Sequence, residues 1–469
     1  MSNQNPIVWI NVTTSVNWQR PPVGIVRVEQ SLSAELAQLY GSNFKYCVWD
    51  NNKFVEFIPN EQKNSNIEKK KLEVKNDQPK LEPIFPILPR RKALVVLAQA
   101  VLSLLPNKLQ AYFNRLLFGL RPYIIRLLEK KIFRKNLNNF SMHHSALLKI
   151  NNDVDSDSIF SCGDVLISIG LDWDYPYYKE FYNLRKNKGL KIITCCYDLI
   201  PVLFPQYCVG NVAGLFTSYF LEVADGSDLI LCISEQSERD LKIMLENTGG
   251  AMPKTQVFLL GDNVLGCTNT NDGLSKSVKE IIQKPFILFV STIERRKNHE
   301  VLYRAYHKLC SEGKSTDLPK LIFVGMPGWG VNDLLKDLEL DPLTQDLIVR
   351  LNHVSDADLR VLYEAARFCV FPSLYEGWGL PVGEALSMGK VVICSDRGSL
   401  PEVGGDLVLY VDPWDSKTWA QEIYRMATDD VWREQWEQKV KLGYRPRTWS
   451  DAALSVKSQI DKLINTKLN

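Results

Sequence analysis

Phe371-Pro-Ser-Leu-Tyr-Glu-Gly-Trp-Gly-Leu-Pro-Val-Gly-Glu384 places a Gly-rich turn between two apolar stretches of different period. Arg367-Phe-Cys-Val-Phe371 before it has strand character. Pro381 suits the first turn of a helix, where its missing N–H costs nothing. That helix is expected to run through Glu384-Ala-Leu-Ser-Met388 and stop at Gly389, a natural residue just past a helix end. Strand, Gly-rich turn and helix start together present free backbone N–H groups to a phosphate. Glu376 precedes the helix and Glu384 falls in its first turn, so both are expected in the crevice outside the carboxyl end of the strand. Taken alone, the turn equally fits an ordinary strand-to-helix loop with solvated acids, since Gly-rich motifs have many false positives. The surrounding chain decides.

A chain of 469 residues predicts two or three domains at about 150 residues each. Its 45% hydrophobic and 23% charged residues are those of an ordinary globular enzyme. The 10 cysteines fall mostly inside apolar strands (Cys195, Cys196, Cys232, Cys369, Cys394) and form no C-x-x-C pair. Neither a zinc site nor a redox dithiol is suggested, and reduced, buried thiols fit a cytoplasmic chain. The opening Met-Ser-Asn-Gln-Asn-Pro lacks the basic and apolar regions of a signal peptide.

Ile7-Val-Trp-Ile-Asn-Val12 reads as a buried strand, followed by a turn through Arg20-Pro-Pro-Val-Gly24 and a helix from about Ile25 to Tyr40. The turn carries Gly24 between the guanidinium groups of Arg20 and Arg27, but no G-x-G-x-x-G, so a dinucleotide reading is poor. Glu61 to Lys80 is polar and aperiodic, the pattern of a surface insertion. Pro83 to Lys135 then carries Arg90, Arg91, Lys92, Lys108, Arg115, Arg121, Arg126, Lys130, Lys131, Arg134 and Lys135 against Glu82 and Glu129. Its apolar runs are all shorter than the ~18 residues a spanning helix needs. Helices apolar on one face and basic on the other lie on anionic membrane surfaces; a helical hairpin packed on its own domain fits the same pattern. Nucleic-acid binding is set aside, because no groove-reading or stacking module accompanies the charge.

Strand–helix alternation resumes at Asp164-Val-Leu-Ile-Ser-Ile169 and continues through Lys191–Cys196 and Asp228–Ile233 to Gln256–Leu260. After a polar linker, Gly266 to Lys284, it restarts at Phe286-Ile-Leu-Phe-Val290 and runs to Leu407–Val411. Such alternation predicts parallel, doubly wound sheets. The expected organisation is a first domain over 1–265 with an insertion at about 58–155, a second over 285–445, and a helix over 446–469 packing back on the first. The loop Ser291-Thr-Ile-Glu-Arg-Arg-Lys297 opens the second series. Two cations beside a helix start oppose the helix dipole, which makes sense where an anion binds.

These residues resemble glycosyltransferase family 4, retaining enzymes of the GT-B fold, in which two Rossmann-like domains face a cleft. The match runs through Phe289-Val-Ser-Thr-Ile-Glu-Arg-Arg-Lys-Asn298, Phe323-Val-Gly-Met-Pro-Gly-Trp-Gly330, His353-Val-Ser-Asp356, Phe371–Pro381 and Gly398-Ser-Leu-Pro-Glu402. In the first half it is thinner: Gly24-Ile-Val-Arg27, Tyr197-Asp-Leu-Ile-Pro201 and Asp228–Glu235. The resemblance implies that Arg296 and Lys297 neutralise a donor diphosphate, Glu376 contacts the donor sugar and Glu384 the ribose. It implies that backbone groups of Gly24 and of Gly377, Trp378, Gly379 and Leu380 hold sugar and phosphate. No metal or other cofactor is implied, because cations and helix ends do the neutralising. The implied activity is transfer of a sugar from a nucleotide-sugar donor to a glycan or lipid-linked acceptor, in cell-surface polysaccharide biosynthesis; the basic stretch adds the expectation of a peripheral place on the inner face of the membrane. A nucleotide-sugar epimerase or hydrolase, or a non-catalytic sugar-nucleotide binder, are the alternatives on this architecture. Many relatives have His-Asp where this chain has Tyr197-Asp198, which leaves Asp198 or Arg27 as candidates to position the acceptor.

Overall fold

The computed structural model describes residues 6–19, 24–59, 158–210, 212–262 and 274–465. Arg20, the polar stretch 61–80 and the basic stretch 83–135 lie outside the described residues.

Short runs of mostly apolar residues form the strands, and the central ones are buried on both faces, as parallel sheets require. In the first half these are β1 (Val8–Asn11), β2 (Phe44–Asp50), β3 (Lys53–Phe57), β4 (Val165–Ser168), β5 (Lys191–Cys196), β6 (Leu229–Cys232) and β7 (Lys254–Val257). They build one sheet in the order β3-β2-β1-β4-β5-β6-β7. All neighbours are parallel except β3, which pairs antiparallel with β2. Asn51 and Asn52, both at positive φ (48° and 62°), make that hairpin turn. Asp164 fixes the start of the central strands: its carboxylate accepts from the Ile7 amide (2.9 Å) and the Trp9 indole (3.1 Å).

In the second half β8 (Phe286–Val290), β9 (Lys320–Val324), β10 (Ile348–Leu351), β11 (Phe368–Phe371), β12 (Val392–Cys394) and β13 (Leu409–Tyr410) form a fully parallel sheet. Its order is β10-β9-β8-β11-β12-β13. In both sheets the order reverses once, between β1 and β4 in the first and between β8 and β11 in the second. These reversals are the switch points at whose carboxyl ends ligands of open α/β sheets bind. The fold is thus two Rossmann-like doubly wound sheets.

Helix caps follow the sequence closely. The Ser234 hydroxyl accepts from the Ser237 amide (2.9 Å) at the head of the Glu235–Thr248 helix. Ser355 does the same for Asp358 (3.1 Å) at the head of Asp356–Ala365, each cap worth about 1 kcal/mol. The Asp358 carboxylate does not close the reciprocal bond; it accepts from the Ser275 amide instead (3.0 Å). The Trp449–Asn465 helix buries Trp449, Ala452, Val456 and Ile460. The Tyr40 hydroxyl, at the end of the Ile25–Tyr40 helix, donates to Asp461 on it (2.8 Å). Both sheets belong to one compact unit.

Candidate active site

The second sheet's switch point brings the loops after β8 and β11 together. Arg296 and Lys297 sit just before a helix, as expected: they lie in a 3-10 turn, Arg295–Lys297, and the helix begins at His299. Asn298 between them is left-handed (φ 59°). Its side-chain amide donates to the carbonyls of Pro372 (3.1 Å) and Pro413 (2.8 Å), which pins the turn against the loop after β11.

That pinning sets the cations on Glu376. Lys297 Nζ donates to Glu376 Oε1 at 2.6 Å and Arg296 Nη1 to Oε2 at 2.9 Å. Arg296 also donates to Glu294 (2.8 Å) and to the Tyr375 carbonyl (2.7 Å). Glu376 is 8% exposed. Burial alone would push its carboxyl up, but Lys297 and Arg296 overcome that and hold it at about 2. Burial, with Arg296 beside it, pulls the Lys297 ammonium down against the attraction of Glu376. The charges of Glu294 and Glu376 balance those of Arg296 and Lys297, and Asp198 lies within electrostatic reach of Arg296. Beneath it the buried His299 lies tilted against Phe289 (4.3 Å between centroids). Burial and then Lys297 push its imidazole down to about 3, so it stays neutral.

Downstream the chain turns sharply at Gly379 (φ 105°) into the Leu380–Ser387 helix. Among the described residues, the amides of Gly377, Trp378, Gly379 and Leu380 find no protein acceptor. Ser399 holds the loop from behind, donating to the carbonyls of Glu376 (3.0 Å) and Trp378 (2.8 Å). Gly398 (φ 63°) lets it do so: a Cβ there would lie 2.3 Å from the Glu376 carbonyl oxygen. Trp378 contributes only its backbone, since its side chain is buried under Arg447.

Glu384 is 6% exposed. Its Oε1 accepts from Arg27 Nη1 (3.1 Å) and its Oε2 from the Tyr363 hydroxyl (3.0 Å). Burial raises its pKa, with Arg27 and Tyr363 opposing. Arg27 comes from the first sheet's Ile25–Tyr40 helix, directly after Gly24 (φ 52°), and its Nη2 also donates to Asp356 (2.9 Å).

Other groups of the first sheet face the same loop. Asp198, after β5, accepts from the Ile200 amide (3.0 Å) and lies against Gly377. A Cβ on Gly377 would meet the Tyr197 carbonyl at 2.5 Å and Asp198 Cβ at 2.8 Å. Burial raises the Asp198 pKa, with Arg296 opposing. Tyr197 turns inward, its hydroxyl donating to the Ile169 carbonyl. The Ser237 hydroxyl reaches the carbonyls of Tyr197 (2.8 Å) and Gly377 (3.3 Å), and the Tyr375 hydroxyl donates to Asp240 (2.6 Å). Glu402 accepts from the Glu235 and Gln236 amides (2.7 and 2.8 Å), a carboxylate seated on a helix N-terminus.

The structure therefore brings Arg296, Lys297, Glu376, Asp198 and Gly377–Leu380 into one cluster, with Glu384 joined to Arg27 beside Gly24. Sequence reasoning missed Glu294, Tyr363, Ser399, Glu402 and the partner of Glu384. Glu402 closes the quoted Gly398–Glu402 motif, and Glu294 sits two residues before Arg296, so for these the signal was present.

The family described as Glycosyl transferases group 1 matches residues 274–443. The O-antigen chain mannosyltransferase B of Escherichia coli is 32% identical over 270 residues, which are 56% of this chain and 67% of that protein. The serotype-specific mannosyltransferase WbdA, also of Escherichia coli, is 26% identical over 265 residues, and the chain spans 32% of its length. Among solved structures, sucrose-phosphate synthase from Thermosynechococcus elongatus superposes with a TM-score of 0.56 at 16% identity. That match covers 99% of this chain and 100% of the other, and it speaks to the fold alone.

Proposed function

The chain belongs to the group 1 glycosyl transferases, and from that membership we propose a specific division of labour for its site. The enzyme moves a hexose from a nucleoside diphosphate donor to a glycan or lipid-linked acceptor of a cell-surface polysaccharide, with retention at the anomeric carbon. Mannose is the first sugar to test, because the relatives above are named mannosyltransferases. One observation carries the reading. Two part-buried cations converge at a switch point beside four amides that have no protein acceptor among the described residues, and the carboxylates they bond to are those of Glu294 and Glu376.

In this reading the donor diphosphate replaces Glu376 on Arg296 and Lys297 and takes amides from Gly377 to Leu380. Glu376, released, accepts from hydroxyls of the donor sugar. Gly24 lends backbone from the first sheet, Glu384 accepts from the ribose, and Asp198 faces the acceptor. The bond from the sugar's anomeric carbon to the phosphate oxygen breaks as the acceptor oxygen bonds to the same face. The acceptor's proton passes to the leaving phosphate. Fixed cations offset the charge growing on that phosphate, and are worth most where water is excluded. No pair of carboxylates at glycosidase spacing is needed. Transfer is expected to survive chelation of divalent cations.

The test is incubation with GDP-mannose, UDP-glucose and related donors, with and without lipid-linked oligosaccharides, following sugar incorporation and nucleotide release. Donor consumption without acceptor would favour the hydrolase or epimerase reading, and donor binding without turnover the binding-protein reading.

No helix among the described residues is long and apolar enough to cross a membrane. A peripheral place on the cytoplasmic face is proposed from the basic stretch 83–135. Deleting it is expected to lower binding to anionic vesicles; unchanged binding removes the anchor role.

A further inference from the structure

Arg27 occupies the third position of the Ile25–Tyr40 helix, where a cation opposes the helix dipole. It is 9% exposed. Its two ion-pair partners among the described residues lie across the cleft: Glu384 at 3.1 Å and Asp356 at 2.9 Å. Glu384 thus has one oxygen on Arg27 and the other on Tyr363, so in this geometry the guanidinium stands on the side of the carboxylate that faces the first sheet. Arg27 gives Glu384 what a ribose would give it, a hydrogen-bond donor aimed at a buried carboxylate. A carboxylate so buried cannot lose that donor without replacement.

A nucleotide supplies the replacement and also a new partner for the displaced cation. The loop runs from Glu376, assigned above to the sugar, through the acceptor-free amides of Gly377–Leu380, to Glu384, assigned to the ribose. A diphosphate joining sugar to ribose must lie between those carboxylates. It therefore comes within a side chain's swing of the guanidinium now on Glu384. Arginine's planar fork matches phosphate oxygens in pairs.

We propose that Arg27 is an exchangeable occupant of the nucleotide site. In the empty enzyme it stands on Glu384 in place of the ribose and ties the two sheets together. When donor binds, the ribose takes Glu384 and the guanidinium passes to the diphosphate, a third cation for the leaving group beside Arg296 and Lys297. Asp356, with its side chain 43% exposed, holds Arg27 at the resting post and returns it there when the nucleotide leaves. The exchange rests on the reading of Glu384 and of the Arg296–Lys297 pair given above.

The experiment compares wild type with Arg27→Gln, Arg27→Lys and Asp356→Asn. Binding of GDP, UDP, ADP, CDP and dTDP, and of the corresponding nucleosides, is measured by competition calorimetry, together with the kcat of transfer. The exchange predicts that Arg27→Gln strengthens nucleoside binding, because Glu384 is freed. It also lowers the preference for diphosphate over nucleoside about 10- to 100-fold, as expected for one charge-assisted contact to phosphate, and kcat falls with it. Arg27→Lys recovers part of the diphosphate preference. Asp356→Asn strengthens binding of nucleoside and diphosphate alike, and it tests the latch should Arg27→Gln fail to fold. An unchanged diphosphate preference in Arg27→Gln, or unaltered binding in Asp356→Asn, overturns the exchange while leaving the glycosyltransferase site standing. If wild type binds none of the five diphosphates, the site reading itself fails, and the exchange with it.

Discussion

Glu376→Gln removes the negative charge shared by Lys297 at 2.6 Å and Arg296 at 2.9 Å. Arg296 keeps Glu294 at 2.8 Å, whereas the only acid in contact with Lys297 among the described residues is Glu376. The Glu376 carboxyl stands at about 2 against an ordinary 4.5. At about 1.4 kcal/mol for each tenfold, its charge is worth about 3 kcal/mol to the folded state at neutral pH. With only 11% of the side chain exposed, little of that is lost to solvent screening. The figure agrees with the 3–5 kcal/mol typical of breaking a buried pair. At roughly 1 °C per kcal/mol for a unit as large as the one that holds both sheets, the melting temperature should fall about 3–4 °C. The sign with pH follows from the depressed value. The stabilisation is present above the unfolded-state pKa and is lost as pH falls through about 2, because only the unfolded chain binds the proton in between. Melting curves of wild type and variant should therefore differ at pH 7 and converge as pH falls below about 4. A saturating nucleoside diphosphate should raise the variant's melting temperature more than that of wild type, since it no longer competes with Glu376. Equal melting at pH 7, or equal rescue, would refute the internal counter-ion.

Gly377→Ala should lower kcat by two orders of magnitude or more and depress the melting temperature, because its Cβ would lie 2.5 Å from the Tyr197 carbonyl and force the loop away from Asp198. Lys297→Ala and Glu384→Ala should each abolish transfer while circular dichroism stays that of the folded protein. Burial lifts Glu29 and Asp172 to about 7 each. Both values are raised, so their contribution to stability is full below about pH 4 and is lost as pH rises through 7. The melting temperature should then be higher at pH 5 than at pH 8, and Glu29→Gln should flatten that slope; an unchanged slope would count against the burial.

Much of this was legible in the sequence because it is local. Apolar runs such as Phe286–Val290 and Phe368–Phe371 announce buried parallel strands, and the loops that follow them must lie at the carboxyl edge. That alone places Arg296, Lys297 and Glu376 near one another. What stayed hidden is long-range. Arg27 and Glu384 are 357 residues apart, and only the docking of two sheets makes them partners. The same docking puts Glu402 on the amides of Glu235 and Gln236. Likewise the composition of Tyr197-Asp198 does not reveal that Tyr197 points inward, since a phenol reads the same whether it donates to the Ile169 carbonyl or to a sugar.

The most direct measurement is a crystal structure of the full chain with its nucleoside diphosphate bound. The account predicts diphosphate oxygens within hydrogen-bonding distance, about 2.7–3.2 Å, of both Arg296 and Lys297, with the ribose hydroxyls on Glu384. A nucleotide bound elsewhere, with Glu376 still on both cations, would contradict it.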